Sequence, residues 1–222
     1  VKDLALNLAV KPQVWQAFRT LKQTFSEVRA HRNLFHFLLV HFLILDVVNT
    51  AIAFMSVYAN KVIGFNDTQL TSFLITSTVT AMISAYIIGW LVKIKGTVWA
   101  YWLVLWIWAA ALSIAVASQS ATMFWAVGPL AGMGMGGVWV VSRPLLVELS
   151  PAEKIGEFFG LYGLAGRMSS IIGPMLWGTI VLLLENTQTL KYRAAIFALL
   201  LITLTAIWLF RPLAHKLTAS QR

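Results

Sequence analysis

The chain has 222 residues, of which 59% are hydrophobic and only 11% are charged, yet its formal net charge is +9. Soluble domains are about 45–50% apolar and about 25% charged, so this composition excludes an ordinary soluble enzyme and a disordered chain. Cysteine is absent, which excludes disulfide scaffolds and thiolate metal sites.

Residues 1–33 are polar and charged, and no signal peptide is visible among them. The apolar residues of this segment recur at helical spacing, namely Trp15, Phe18, Leu21, Phe25 and Val28. Two interpretations fit this pattern equally well. One is an amphipathic helix lying on the cytoplasmic membrane surface, and the other is a solvated linker that packs on its own protein.

Six apolar stretches follow, each long enough for the roughly 20 residues that a membrane-spanning helix needs. They are residues 34–58, 68–92, 97–117, 121–145, 157–184 and 194–210. The connections between them are short, and no change of composition marks a second domain. The pattern predicts an all-α membrane protein, with six transmembrane helices forming one bundle over residues 34–222.

The basic residues separate according to the loops that hold them. Of the seventeen lysines and arginines, thirteen fall on the side of both termini, three fall on the other side, and Arg167 lies inside a span. Cytoplasmic loops of membrane proteins collect Lys and Arg, so both termini are predicted to be cytoplasmic. The positive charge then reflects topology, and the expected partner is the lipid bilayer rather than a nucleic acid.

Polar side chains are unevenly distributed among the six spans. They concentrate in the first, second, fourth and fifth spans, whereas the third and sixth are almost wholly aliphatic and aromatic. Polar groups inside a bilayer face a bundle interior or a cavity, so the third and sixth spans are predicted to face lipid. The pattern repeats after three helices, which predicts a 3+3 internal repeat.

Asp46 and Arg167 are the two charges deep within spans. At 1.5 Å per residue from the span starts, they would lie about 18 and 15 Å deep, which predicts an ion pair. This pair is interpreted as part of a substrate or proton site, with a purely structural ion pair as the alternative. The predicted pathway residues are Asp46, Asn49, Thr50, Arg167, Ser169 and Ser170.

Eleven of the fourteen glycines fall between residues 128 and 178. Glycine permits both close helix packing and bending, and packing alone is the alternative for several of them. Gly173-Pro174 is predicted to kink the fifth span, because proline removes a backbone hydrogen bond. The predicted gating residues are Gly132, Gly134, Gly136, Gly137, Gly173 and Pro174.

The loop after the fourth span has the pattern of a helix start. Ser150, Pro151 and Glu153 match a capping box with proline at the first helical position, which predicts a short cytoplasmic helix. Arg143 and Glu148 are predicted to pair near the membrane surface. The predicted cytoplasmic latch comprises Arg143, Glu148 and Glu157, with simple helix anchoring as the alternative.

His31, His36, His41 and Asp46 recur every five residues. Five residues rotate a helix by about 140°, so successive members of the series point to different faces and no metal site is predicted. An intramembrane enzyme would need a serine paired with His36 or His41, because Asp46 is the only carboxylate well inside a span. No cofactor is expected.

Several runs carry a resemblance to a known family: DVVNTA at 46–51, SRPLL at 142–146, GEFFGLY at 156–162 and Gly173-Pro174. In these residues the chain resembles the vacuole effluxer-like family, a branch of the major facilitator superfamily that includes amino-acid exporters of fungal vacuoles. The resemblance covers about residues 20–212. It corresponds to the C-terminal six helices of a twelve-helix transporter.

The resemblance implies half of a secondary active transporter working by alternating access. It further implies efflux of amino acids or other small solutes, coupled to protons, across a bacterial cytoplasmic membrane. The missing partner would be an N-terminal six-helix bundle, and residues 1–33 would end the linker that leads from it. The alternatives are a non-transporting six-helix membrane subunit and, less favoured, the intramembrane enzyme.

Overall fold

Six long helices account for most of the chain. The computed structural model describes residues 32–220, with side chains as far as residue 214. The helices are α1 Arg32–Tyr58, α2 Asp67–Lys95, α3 Thr97–Ala117, α4 Val127–Leu149, α5 Ile155–Leu183 and α6 Leu190–Ser220. Each is long and apolar enough to cross a bilayer, so the prediction of six transmembrane helices is confirmed. The predicted surface segment 1–33 lies outside the described residues, apart from its last two positions.

Local sequence signals set the connections between the first three helices. α1 continues into a π-helical turn, Ala59–Ile63, which ends at Gly64 with a φ of +83°. Asn66 caps α2 by accepting a 2.8 Å hydrogen bond from the backbone N–H of Gln69. A single residue, Gly96, with a φ of +85°, joins α2 to α3. A residue with a Cβ would be strained at these positive φ values, so the two turns favour glycine.

The predicted capping box at residues 150–153 does not form. The Ser150 hydroxyl donates a 2.6 Å hydrogen bond back to the Leu146 carbonyl, and no side chain caps the short 3₁₀ turn Ala152–Lys154. Because α4 ends at Leu149, Ser150 satisfies one of the last carbonyls of that helix rather than the first amides of the next. The predicted short helix is therefore a single turn that leads directly into α5.

The packing of the helices repeats after three of them. α1 packs along α5 and α6, and α4 packs correspondingly along α2 and α3. α3 and α6 pack against each other, and α2 contacts α3 as α5 contacts α6. Exchanging the first three helices with the last three leaves this set of neighbours unchanged. The 3+3 repeat that the polar pattern predicted is thus present in the bundle.

The third helix is lipid-facing on one side only, where Trp99 and Trp106 are exposed, although its lack of polar residues predicted that it would face lipid. Tyr101, Val104, Leu105 and Trp108 are buried, and α3 packs along both α4 and α6. The least buried spans are α2 and α5, in each of which only 17% of an apolar 18-residue stretch is buried. The prediction missed the packed side of α3, because aliphatic and aromatic side chains pack as well against protein as against lipid.

Side chains from α1 and α6 fasten the last turn of α3. The Tyr58 hydroxyl donates a 2.9 Å hydrogen bond to the Ala115 carbonyl. Arg193 donates from Nη1 to the Val116 carbonyl at 2.9 Å and from Nη2 to the Ser118 carbonyl at 2.7 Å. The last carbonyls of a helix have no donor within it, so these bonds satisfy groups that would otherwise need water.

Candidate functional site

Asp46 lies at the contact between α1 and α5. Its side chain is only 3% exposed, and Oδ1 has no hydrogen-bond partner among the described residues. Gly173 of α5 packs directly against it, since a Cβ at this glycine would lie 2.9 Å from Asp46 Oδ1 and overlap Thr50 Oγ1. The Thr50 hydroxyl donates a 2.7 Å hydrogen bond to the Asp46 carbonyl. The carboxyl therefore lies in a helix crossing that is tight enough to need a glycine.

Asn49 carries the polar contact further along the same crossing. Its Nδ2 donates a 2.9 Å hydrogen bond to Ser169 Oγ, and the Ser169 hydroxyl donates at 2.8 Å to the Gly166 carbonyl. The structure thus brings together four of the predicted pathway residues, Asp46, Asn49, Thr50 and Ser169. A buried carboxyl beside an amide and two hydroxyls can hold a proton or a polar group of a solute.

The predicted ion pair between Asp46 and Arg167 does not form. Arg167 is exposed on α5, and so is Ser170, whose hydroxyl donates a 2.7 Å hydrogen bond to the Arg167 carbonyl. Six residues separate Arg167 from Gly173, which corresponds to about 9 Å along the helix and about 240° around it. Depth measured from the helix starts ignores this rotation, and the prediction placed the guanidinium on the wrong face.

The four glycines predicted to bend α4 lie in close helix contacts. A Cβ at Gly132 or Gly136 would overlap backbone carbonyl oxygens of α2. A Cβ at Gly134 or Gly137 would lie within 2.7 Å of a buried side chain of α3. Close packing accounts for all four, while their role in gating stays a prediction. In α5, where Gly173-Pro174 was predicted to cause a kink, the helix continues through Pro174.

The predicted latch contact between Arg143 and Glu148 does not form. Arg143 and Glu148 are exposed, and no ion pair forms between them, because five positions along α4 turn them about 140° apart. Glu148 instead accepts a hydrogen bond from the hydroxyl of buried Thr97 at the start of α3. Glu157 is exposed in the first turn of α5. The contact that the structure contains here ties the end of α4 to the start of α3.

A buried polar cluster centred on His41 was not among the predicted site residues. The His41 ring is fully buried and stacks on Tyr162 at 4.5 Å and on Phe37 at 5.6 Å. Its Nδ1 lies 3.2 Å from Tyr101 Oη, and Tyr162 Oη lies 2.9 Å from Ser142 Oγ. This His41 cluster joins α1, α3, α4 and α5. The apolar residues three and four positions from His41 on either side were the available signal, since they predict a core-facing position.

The serine–histidine pair that an intramembrane enzyme would need is not formed by either described histidine. His41 contacts the Tyr101 hydroxyl, and His36 Nδ1 lies 2.7 Å from the Arg32 carbonyl. Neither ring has a serine as a hydrogen-bond partner, so the structure does not bring a nucleophile and a general base together at these positions.

Two largely apolar cavities lie beside the Asp46 crossing. One, of about 330 Å³, lies among α1, α2 and α4, with Trp108 in its wall and Ser77 and Thr78 as its hydroxyl groups. The other, of about 230 Å³, lies between α1 and α5 and is lined by apolar side chains alone. Asp46 lines neither of them.

Comparisons with known proteins place the chain in a family. The family model described as vacuole effluxer Atg22 like matches residues 4–218. The chain belongs to this family. The Atg22-like chain is 29% identical over 195 residues to the uncharacterized MFS-type transporter YxiO of Bacillus subtilis, covering 87% of this chain and 44% of the relative. It is 24% identical over 193 residues to autophagy-related protein 22 of Saccharomyces cerevisiae, covering 82% of this chain and 36% of the relative.

Solved structures identify the fold of the Atg22-like chain. A bacterial homologue of the iron transporter ferroportin, crystallised in an outward-facing state, aligns with a TM-score of 0.69 and 20% identity, covering 82% of this chain and 45% of that one. A structure of such a homologue with soaked iron aligns with a TM-score of 0.68. The fold is therefore a six-helix bundle of the major facilitator type, as the resemblance implied. The chain spans less than half the length of these relatives.

Proposed function

We propose that the Atg22-like chain forms one half of a secondary active transporter that works by alternating access and exports amino acids or other small solutes in exchange for protons. The observation that carries this proposal is the carboxyl of Asp46, buried in the α1–α5 crossing with one oxygen unpartnered. A buried carboxylate in a membrane is costly unless it is protonated or paired. The charge state of Asp46 is therefore coupled to the separation of α1 from α5.

The second half of the transporter would dock against α2 and α5. These are the spans with the smallest buried fraction, and their exposed residues are largely apolar, including Met82, Tyr86, Met175 and Leu182. An exposed apolar face along two membrane spans suits contact with a second bundle. The relatives support such a partner because they are more than twice as long as the matched region. Arg167 and Ser170, exposed on α5, would then face the space between the halves.

The exchange would run through α1 and α5. With the proton bound, Asp46 is neutral and the crossing stays closed around it, with Thr50 and Gly173 in contact. Loss of the proton leaves a charge that the closed crossing does not stabilise, so the open arrangement is favoured. Asn49 and Ser169, which bond to each other across the crossing, would offer an amide and a hydroxyl to the solute when the helices separate.

The charge pattern and the family support a direction and a location for transport. The excess of basic residues on the side of both termini supports cytoplasmic termini. The family description as effluxers supports export, and the relative in Bacillus subtilis supports a bacterial cytoplasmic membrane. With this orientation, an outward solute flux would be driven by protons entering the cell.

The experiment is gradient-driven uptake by inverted membrane vesicles that contain the intact protein, with an acidified lumen and a radiolabelled amino-acid mixture as the probe. Wild-type protein should accumulate label only while the proton gradient lasts. Asp46→Asn should abolish accumulation of the solute against its own concentration gradient. It should retain exchange of labelled for unlabelled solute when the concentrations inside and outside are equal. Asp67→Asn, which removes an exposed carboxylate at the start of α2, is the matched control and should behave as wild type.

Two results would contradict the proposal. Gradient-driven accumulation by Asp46→Asn with an unchanged pH dependence would remove Asp46 from proton coupling. Failure of the folded wild-type protein to move any labelled solute in either direction would favour a six-helix subunit without transport activity.

A further inference from the structure

A basic pocket lies at the end of the bundle where α1 begins and the apolar run of α6 ends. Its larger part, about 550 Å³, is lined by His36, Trp208, Leu209, Arg211 and Pro212. A smaller part of about 50 Å³ adjoins it through the shared residues His36 and Pro212 and adds Arg32 to the wall. The described residues that line both parts belong to α1 and α6.

The pocket lies at the depth of the lipid headgroups. Arg193 and Arg211 bracket a run of α6, residues 194–210, that contains no charged side chain. From Arg193 to Arg211 the helix advances eighteen positions, or about 27 Å, which is close to the roughly 30 Å thickness of the hydrocarbon core. Trp208, which is 71% exposed, lies one turn inside Arg211. Tryptophan concentrates at this boundary between acyl chains and headgroups.

No described residue compensates the charge of the pocket. Arg32 and Arg211 are both exposed, and neither forms an ion pair with any described residue. Among residues 32–214, no aspartate or glutamate lines either part of the pocket. The His36 ring is held by a 2.7 Å hydrogen bond between its Nδ1 and the Arg32 carbonyl. Guanidinium groups bind phosphate oxygens in a bidentate manner, so Arg32 and Arg211, which line adjoining parts of the pocket and pair with no described residue, suit a phosphate.

We propose that this pocket binds the headgroup of an anionic phospholipid. The two guanidinium groups take the phosphate oxygens, while Trp208 and Leu209 lie beside the first carbons of the acyl chains. The exposed indole distinguishes a lipid from a free anion, because a soluble phosphate gains nothing from an apolar wall at the membrane boundary. Basic pockets between transmembrane helices recognise anionic lipid headgroups through this combination of charge and depth.

The test is lipid retention by the intact protein, measured by native mass spectrometry after exchange into detergent with equal amounts of phosphatidylglycerol and phosphatidylcholine. Wild-type protein should retain phosphatidylglycerol preferentially. Arg32→Gln combined with Arg211→Gln should reduce that preference about 10- to 30-fold, since each arginine near the surface contributes about a fivefold attraction. Trp208→Ala should also weaken phosphatidylglycerol retention while leaving the arginines in place. All three side chains are exposed, so these substitutions leave the core intact.

The matched control is Lys93→Gln combined with Lys95→Gln, which removes two exposed charges at the same end of the bundle but outside the pocket. It should retain the wild-type preference. An equal loss in this control, or an unchanged preference in the double arginine variant, would overturn the proposal. Displacement of phosphatidylglycerol by millimolar inorganic phosphate would also overturn it, because the ligand would then be a free anion.

Discussion

Gly173 of α5 and Thr50 of α1 approach so closely that a Cβ at the glycine would overlap the threonine hydroxyl oxygen. The same added atom would lie 2.8 Å from the Asp46 backbone carbonyl oxygen. Neither neighbour can swing aside, because Thr50 is fully buried and hydrogen-bonded to that carbonyl. The position of α5 against the Asp46 carboxyl thus depends on the missing side chain at residue 173.

Gly173→Ala is therefore expected to separate α1 from α5 and to destabilise the protein by about 1–3 kcal/mol, the usual effect of overpacking. Thermal unfolding of the intact protein in detergent measures it. Gly178→Ala lies one turn further along the same helix, where no atom is within 4 Å of the added Cβ, and should leave the melting temperature unchanged or higher. Adding Thr50→Ala to Gly173→Ala should recover part of the loss. Equal melting temperatures for the two alanine variants would contradict the described crossing.

Arg193→Met is expected to loosen the contact between α3 and α6. It removes two hydrogen bonds to the carbonyls of Val116 and Ser118 while keeping most of the aliphatic stem. A hydrogen bond to a charged group contributes about 1.5–3 kcal/mol, so the melting temperature should fall clearly. Lys191→Met removes the same charge from the same end, where Nζ makes a long 3.4 Å contact with the Glu185 carbonyl and lies 5.4 Å from the centre of the exposed Tyr192 ring, and should have the smaller effect. A similar fall in melting temperature in both variants would show that the loss of charge matters, rather than the loss of the hydrogen bonds to the end of α3.

Thr97→Val is expected to release the end of α4 from the start of α3, because the buried threonine hydroxyl is the donor to Glu148. The protein should lose about 1–3 kcal/mol of stability, and Thr97→Ser should restore most of it. Arg143→Gln should leave stability unchanged, since Arg143 does not pair with Glu148. Hydrogen exchange at the α2–α3 connection is a second measurement. An effect of Arg143→Gln as large as that of Thr97→Val would support the predicted ion pair instead.

Tyr162→Phe is expected to cost about 1–2 kcal/mol by leaving the buried Ser142 hydroxyl without its partner. The ring stacking on His41 would be kept. Combining Tyr162→Phe with Ser142→Ala should recover much of the loss, because removing both partners leaves no unsatisfied group. Tyr162→Ala, which also removes the stacked ring, should cost about 3–5 kcal/mol. A double-mutant cycle on melting temperatures separates these effects, and additive losses would show that the two hydroxyls are not coupled.

How much of the candidate site was predictable depends on how many helices each contact needs. Asp46, Asn49 and Thr50 share one face of one helix, and a spacing of three or four residues is enough to predict that they lie together. The contact of Asn49 with Ser169 requires the rotation of α5 about its own axis, and a single sequence contains no measure of that rotation. Arg167, two residues before Ser169, was placed on the wrong face for this reason.

The glycines and the His41 cluster show the same division. The run of glycines in α4 predicted an unusual helix, but bending and close packing call for the same residue type. The backbone of α2 and the side chains of α3, on opposite sides of α4, assign these positions to packing. His41 escaped prediction because its partners come from α3 and α5, 60 and more residues away along the chain.

The sequence by itself determined that the chain spans a membrane six times, on which side its charges collect, and that its polar groups repeat after three helices. These properties depend on composition and on spacing along the chain, which the bilayer selects through its thickness and its lack of hydrogen-bonding groups. Only the tertiary structure decided which helix faces are buried, that Asp46 has a glycine rather than an arginine against it, and that Arg32 and Arg211 lie where α1 and α6 meet without an ion-pair partner among the described residues. Those outcomes depend on how each helix is rotated against its neighbours, and packing between helices sets that rotation.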